Sequence, residues 1–180
     1  MDPSRHHSEE LEARLAELHS ASFGWACSCC GWNEADAEDV LQTTYLKVIS
    51  GRARYDGRSA FRTWLFGVIR HTAREFLRSK RSHREKSMIL FAQQPDDVEH
   101  PEPTASLEAG ELAAEVKASL STLPDRQREV LELVFYQEMT IREAADVMEV
   151  SIGSARVHYD RGKKKLRALL SSESKSEGTT

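Results

Sequence analysis

Several absences in this chain of 180 residues narrow what it can be. No apolar run approaches the roughly 20 residues that a membrane-spanning helix needs. The N-terminal MDPSRHHSEE also lacks the basic and apolar stretches of a secretion signal. Both absences point to a cytoplasmic protein with no membrane span. Cysteine is scarce, with three residues all inside ACSCCGW, at Cys27, Cys29 and Cys30. An odd number of thiols in a cytoplasmic chain argues against a disulfide framework, and this spacing matches no C-x-x-C pattern. Together with His19, or His6 and His7, the three thiols are the only candidates for a soft-metal or redox site. They carry one alternative reading, a metal- or redox-sensing interaction protein. Nothing supplies a Gly-rich phosphate loop, a carboxylate set for a metal, or an acid to orient a Cys–His pair. The chain is therefore read as no enzyme, and no cofactor is expected.

Lys and Arg are missing from Phe91 to Glu115, where seven acids collect. From Arg52 to Lys86, by contrast, eleven Lys or Arg face three acids, and from Arg156 to Arg167 six face one. The net charge of -4 hides this alternation. Two basic modules joined by an acidic strip suit a partner rich in phosphate. Three of the five prolines fall in QQPDDVEHPEPTAS, which reads as an extended linker. With no strand alternation anywhere, the expected fold class is all-α. Two small helical domains, residues 1–86 and 111–170, are joined by a flexible acidic linker, 87–110, and followed by a disordered tail, 171–180.

In the first domain Leu11, Leu15 and Leu18 mark a helix. Asn33 is placed to cap a second, on which Leu41, Tyr45 and Val48 share a face. Ser59 is placed to cap a long third helix with Phe61, Leu65, Val68, Thr72 and Phe76 inward. Arg62, Arg70, Arg74 and Arg78, spaced by multiples of four, trace a drifting basic ridge along it. Aromatics interleave with this charge at Tyr55, Phe61, Trp64 and Phe66. Exposed rings of that kind stack on bases, although most rings in a domain are core.

The second domain has the grammar of a helix-turn-helix. Thr140 and Glu143 form a capping box before Ile141, Ala144, Ala145 and Met148, and Ser151 caps the next helix. There Ile152, Ala155, Tyr159, Gly162 and Leu166 make a buried stripe. The opposite face shows Gly153, Ser154, Val157, Asp160, Arg161 and Lys164, with Arg156 and His158 on its shoulders. Small residues at the helix N-terminus let it approach phosphate, Arg pairs with a guanine edge, and Val157 suits a thymine methyl. Asp160 either accepts from a cytosine amino group or pairs with Arg156 or Lys164 along the helix. An ordinary dimeric helix-turn-helix regulator acting without polymerase would explain this half alone.

In order and spacing, AEDVLQTTYLKV (37–48), DGRSAFRTWLFGVIRHTAREFLR (56–78), the Pro-rich linker, LPDRQREVLELVF (123–135) and the helix-turn-helix together resemble a bacterial extracytoplasmic-function sigma factor of the sigma-70 superfamily. The resemblance implies a region-two bundle that binds core RNA polymerase at the clamp helices of its largest subunit and melts the promoter minus-10 element. It also implies a region-four domain that sits on the polymerase flap and reads the minus-35 element. By that resemblance Asp39, Val40, Gln42, Leu46 and Lys47 meet polymerase. Tyr55 and His71, with Arg58, Ser59 and Arg62 nearby, take the minus-10 strand and hold a flipped base between Tyr55 and His71, and Arg70 and Arg74 of the basic ridge join them. Ser154, Arg156, His158 and Arg161 take the minus-35 element, with Val157, Asp160 and Lys164 beside them on the same helix face. His71 departs from an Asn common at that place, which alters the base-edge chemistry on offer. The resemblance further implies promoter DNA and core polymerase as partners, control by an anti-sigma factor, and a linker running near the polymerase cleft, where its acidity would mimic nucleic acid.

Overall fold

A computed structural model describes residues 3–90 and 118–176, with side chains described over 9–84 and 118–171. Among the described residues every regular element is helical, and no helix is long and apolar enough to cross a membrane. The chain divides into two compact units, Met1–Thr104 and Ala105–Thr180. The acidic strip from 91 to 115 lies outside the described residues.

The first unit contains α1 (Pro3–Glu17), α2 (His19–Cys29), α3 (Glu34–Ile49) and α4 (Phe61–Leu90). Leu18, at φ -91° and ψ 1°, separates α1 from α2. Beyond α2 the chain reverses through left-handed Gly31 and Trp32 (φ 64° and 69°), where the Trp32 amide donates to the Cys27 carbonyl at 2.8 Å. Asn33 then accepts the Asp36 amide at 2.9 Å and starts α3, and Glu34 and Asp36 in its first turn suit the positive end of the helix dipole. Helix α2 packs against both α3 and α4. Its Trp25 is fully buried, lies 6.1 Å from the Phe66 ring, and donates its indole N–H to the Phe66 carbonyl at 3.0 Å. Val40, Thr44, Leu65 and Ile69 close the core around this pair, and the Thr44 hydroxyl is satisfied by the Val40 carbonyl at 2.8 Å.

The start of α4 differs from the expectation. Ala60, not Ser59, is the capping position, since the Trp64 amide bonds the Ala60 carbonyl. The Ser59 hydroxyl only approaches the adjacent Ala60 carbonyl, at 3.4 Å. Helix α4 also runs to Leu90, past the boundary expected at 86.

In the second unit residues 118–121 are helical. After Pro124 come α5 (Asp125–Leu131), a five-residue π-turn (Glu132–Tyr136), α6 (Ile141–Met148) and α7 (Ile152–Ser176). Leu120, Leu123 and Leu131 form a cluster against which Tyr159, Leu166 and Leu169 pack. Gly162 permits the close approach of α7 to α5. A Cβ placed there would lie 3.1 Å from Leu131 Cδ1 and 3.2 Å from the Gln127 carbonyl. The capping box at Thr140 is complete, with the Glu143 amide donating to Thr140 Oγ1 at 3.2 Å and the Thr140 amide to Glu143 Oε2 at 2.8 Å. Glu149 turns the chain in the left-handed region (φ 55°). Ser151 Oγ then accepts the Ser154 amide at 3.0 Å to cap α7. Residues 171–176, expected in the tail, continue α7, because SSESKS contains neither Gly nor Pro to stop a helix.

Candidate functional site

Three surfaces carry the residues singled out from the sequence, two on the first unit and one on the second. On α3 the apolar face is closed inward by Ala37, Val40, Leu41 and Val48. The opposite face presents Asp39 and Gln42, both exposed, and Leu46, which is 62% exposed. His19, Phe23, Glu38 and Tyr45 join Asp39 and Gln42 around an open cleft of about 600 Å³. An exposed leucine between a carboxylate and an amide is what a protein partner covers. Val40 does not belong to this surface. It is 0% exposed, because it falls about 100° from Leu41 on the helix and shares the packed side. Lys47 is half-buried and engaged, its Nζ donating to Glu75 Oε2 at 2.6 Å and to Thr72 Oγ1 at 3.2 Å.

The second surface begins at the loop before α4. Tyr55, Phe61 and Trp64 form a ring cluster with centroids 5.3–5.4 Å apart. The Tyr55 hydroxyl donates to the Ser59 carbonyl, which fixes the loop, and Arg14 of α1 lies over the Phe61 ring at 5.6 Å. The three rings line a cleft of about 410 Å³. Arg58 is exposed and pairs with Asp56 at 3.2 Å. Further along α4, His71 is exposed, and its Nε2 lies 3.2 Å from Glu75 Oε1. Glu75 thus links His71 of α4 to Lys47 of α3. The hydrogen bond from Lys47 is the main cause holding the Glu75 carboxyl below its ordinary range, with the charge of Lys47 and the contact to His71 adding to it.

The basic ridge is corrected here. A step of four residues drifts about 40° around a helix, so a ridge from 62 to 78 crosses from one side of α4 to the other. Arg62 is half-buried and sits over the Phe66 ring at 5.3 Å. Arg70 is 2% exposed and belongs to the interior. Arg74 and Arg78 are exposed. Phe66, one of the interleaved aromatics, is wholly core.

On α7 the buried stripe is as the spacing requires, with Ala155 and Gly162 buried and Ile152, Tyr159 and Leu166 half-buried. Ser154, Arg156, Val157, Asp160, Arg161 and Lys164 are exposed on the other side, and His158 is half-buried. Asp160 pairs with neither Arg156 nor Lys164; Lys163 Nζ lies 3.7 Å from its Oδ1. That lysine also covers the Tyr159 ring at 4.3 Å, so its stem lies against the helix and brings the ammonium back to Asp160. The Ser154 hydroxyl is engaged with Ser151 Oγ at 2.9 Å.

The thiols lie in α2 and just after it, and the side chains of His6 and His7 lie outside the described residues. Among the described residues no group of three His, Cys, Asp or Glu converges to hold a metal. Cys27 and Cys30 are buried in α2 and just after it, and His19 Nδ1 is 3.2 Å from the Tyr45 hydroxyl. Burial, aided by Asp36, pushes the Cys30 thiol up to about 12. It stays protonated at neutral pH and is a poor nucleophile.

Residues 18–83 match the family model of sigma-70 region 2, and residues 113–166 match that of sigma-70, region 4. The chain is 30% identical to the ECF RNA polymerase sigma factor SigX of Bacillus subtilis (strain 168), over 72% of this chain and 68% of that one. It is 32% identical to the RNA polymerase sigma factor CarQ of Myxococcus xanthus, over 77% and 76%. The chain belongs to the extracytoplasmic-function sigma factors of the sigma-70 family. As a sigma factor it binds core RNA polymerase and directs promoter-specific transcription initiation. The same fold occurs in the sigma factor RpoE of Bartonella quintana, solved with the anti-sigma factor NepR (TM-score 0.67, 23% identity, 91% of this chain and 98% of that one). It occurs also in CnrH, solved with the cytosolic domain of CnrY (TM-score 0.61, 25% identity, 89% and 87%).

Glu75 and Lys163, on these surfaces, escape sequence reasoning. Glu75 was passed over because its partner Lys47 lies on another helix, 28 positions away. Lys163 was passed over because its ion pair with Asp160 is made at a spacing of three, not four.

Proposed function

We propose that this sigma factor divides initiation among the three surfaces. The outer face of α3, with Asp39, Gln42 and Leu46, meets the clamp helices of the polymerase largest subunit, and Lys47 supports it through its tie to α4. The Tyr55 cluster, with Arg58, Ser59, Arg62, His71 and Arg74, takes the opened minus-10 strand, stacking one unpaired base near Tyr55 and offering His71 to its edge. The exposed face of α7, with Ser154, Arg156, Val157, His158, Arg161 and Lys164, enters the major groove of the minus-35 element. Asp160, held by Lys163, tempers the charge there. Val40 and Arg70 act from the core as supports. The protein works in the cytoplasm, performs no catalysis itself, and is held inactive by an anti-sigma factor, as the RpoE–NepR and CnrH–CnrY complexes suggest by analogy.

The observation that carries this reading is Leu46, 62% exposed on a helix whose other face is closed, on a unit that also bears an aromatic cluster beside exposed arginines. A promoter reader that worked without polymerase would need neither. The test is run-off transcription by purified core polymerase with this protein across a pool of promoter fragments, read by sequencing. Promoter-specific transcripts that vanish with Leu46→Asp, and lose minus-35 dependence with Arg161→Ala, support the division. Duplex binding without transcripts favours the simple regulator.

A further inference from the structure

Phe61, Trp64, Val68, His71 and Glu75 recur at steps of three and four along α4 and so share one face. Trp64 and His71 are seven residues apart, about 10.5 Å along the axis, close enough for one nucleotide to reach from the ring cluster to the imidazole. At the far end of this stripe the hydrogen-bonding roles are tightly constrained. Lys47 Nζ is 2.6 Å from Glu75 Oε2 and Glu75 Oε1 is 3.2 Å from His71 Nε2. An ammonium only donates and a carboxylate only accepts. The neutral imidazole must then carry its proton on Nε2, and Nδ1 is left as an acceptor.

We propose that Glu75 is a positioning residue which, held by Lys47, fixes the His71 tautomer and so makes this sigma factor prefer an amino base, adenine or cytosine, over a keto base, guanine or thymine, at one position of the opened minus-10 strand. The proposal rests on the base-reading place given to His71 above. An asparagine side chain offers both a donor and an acceptor and discriminates by rotating its amide. This histidine, with Nε2 committed, offers an acceptor alone. Where Nδ1 meets the exocyclic 6- or 4-position of the base, adenine N6 and cytosine N4 carry the amino protons that such an acceptor takes, whereas guanine O6 and thymine O4 would face it lone pair to lone pair; the ring N–H of guanine and thymine lies beside that position, not at it.

The same chain of contacts yields a reversing variant. In Glu75→Gln the donor-only Lys47 holds the amide oxygen, which turns the amide nitrogen toward His71. That nitrogen donates to Nε2, the imidazole proton moves to Nδ1, and the face offered to the base changes from acceptor to donor. The experiment is transcription with core polymerase and the full chain at about pH 8, above the ordinary range in which imidazoles are charged. The template library carries all four bases at each minus-10 position.

The wild type should prefer amino over keto at one position by about three- to tenfold, the weight of one hydrogen bond. Glu75→Gln should invert that preference at the same position, and His71→Ala should flatten it in both backgrounds. A loss of yield without a change in base preference, the mark of a merely structural role, overturns the proposal. So does a wild-type preference for keto bases at the position that His71→Ala flattens. If His71→Ala flattens one position while Glu75→Gln keeps the wild-type preference, His71 reads the base and Glu75 does not set its tautomer. If His71→Ala changes no position, the base-reading place itself falls.

Discussion

In the first unit the contacts that steady the α3 and α4 surfaces cross between helices far apart in sequence. Trp25 bonds the Phe66 carbonyl, Lys80 grips both oxygens of Asp36 at 2.6 and 2.7 Å, and Lys47 grips Glu75. In the second unit the start of α7 is set by its immediate neighbours, through the Thr140–Glu143 box and the Ser151 cap, while Gly162 seats the rest of the helix on α5. A surface assembled from two helices shares its fate with the core between them. A surface carried on one helix can be damaged by itself. Polymerase binding and strand capture should therefore fail together, while minus-35 reading should fail alone.

The largest test of this contrast is Trp25→Ala, which empties the fully buried centre of the first unit. A loss of about 3–5 kcal/mol follows, read as an early transition in urea together with loss of core-polymerase binding. The second unit's transition should stay where it was, and equal shifts in both units would break the comparison. Alkali probes the same unit. The Cys30 thiol, raised from 9.0 to about 12 by burial and then by Asp36, keeps its proton in the folded chain where the unfolded chain has released it. That contribution is intact below about 9 and is lost as pH rises toward 12. The urea midpoint of the first unit should fall across this window, and Cys30→Ala should fall less. In the second unit Gly162→Val drives a side chain against Leu131 and the Gln127 carbonyl, at a cost of about 1–3 kcal/mol. Minus-35-dependent transcription should drop while core binding persists. Thr140→Ala removes half the capping box and costs about 1 kcal/mol, visible as a small fall in the second unit's melting temperature. A larger fall in polymerase affinity than in duplex affinity would contradict the separation.

The same contrast explains what was legible in the sequence. The caps at Asn33, Thr140 and Ser151 join residues three apart, and pattern alone reveals them. Helix α2 was not legible, because HSASFGWACSC is built of small residues and its partners, α3 and α4, lie elsewhere in the chain. Of the three thiols Cys27 and Cys30 are buried and Cys29 is half-buried. The burial of Arg70 and of Val40 was hidden for a related reason. Each lies on a helix that packs against α2, a partner distant in the chain, so no local spacing distinguishes it from its exposed neighbours. Gly162 could be placed on the inward stripe from periodicity, but its need to be glycine appears only with Gln127 and Leu131 beside it.

The turn from Glu132 to Tyr136 closes with the Gln137 amide on the Glu132 carbonyl at 3.1 Å, one residue wider than an α-helical turn. Deleting a single residue there would let the segment rewind as ordinary helix. A π-turn takes up its extra residue within a single turn, so the chain beyond the deletion would keep nearly the same phase on α5. Phe135 and Tyr136, each 55% exposed, sit at the end of this widened turn. One residue gained or lost here would therefore leave α7 seated on Leu131 and Gln127 through Gly162, its exposed face unturned.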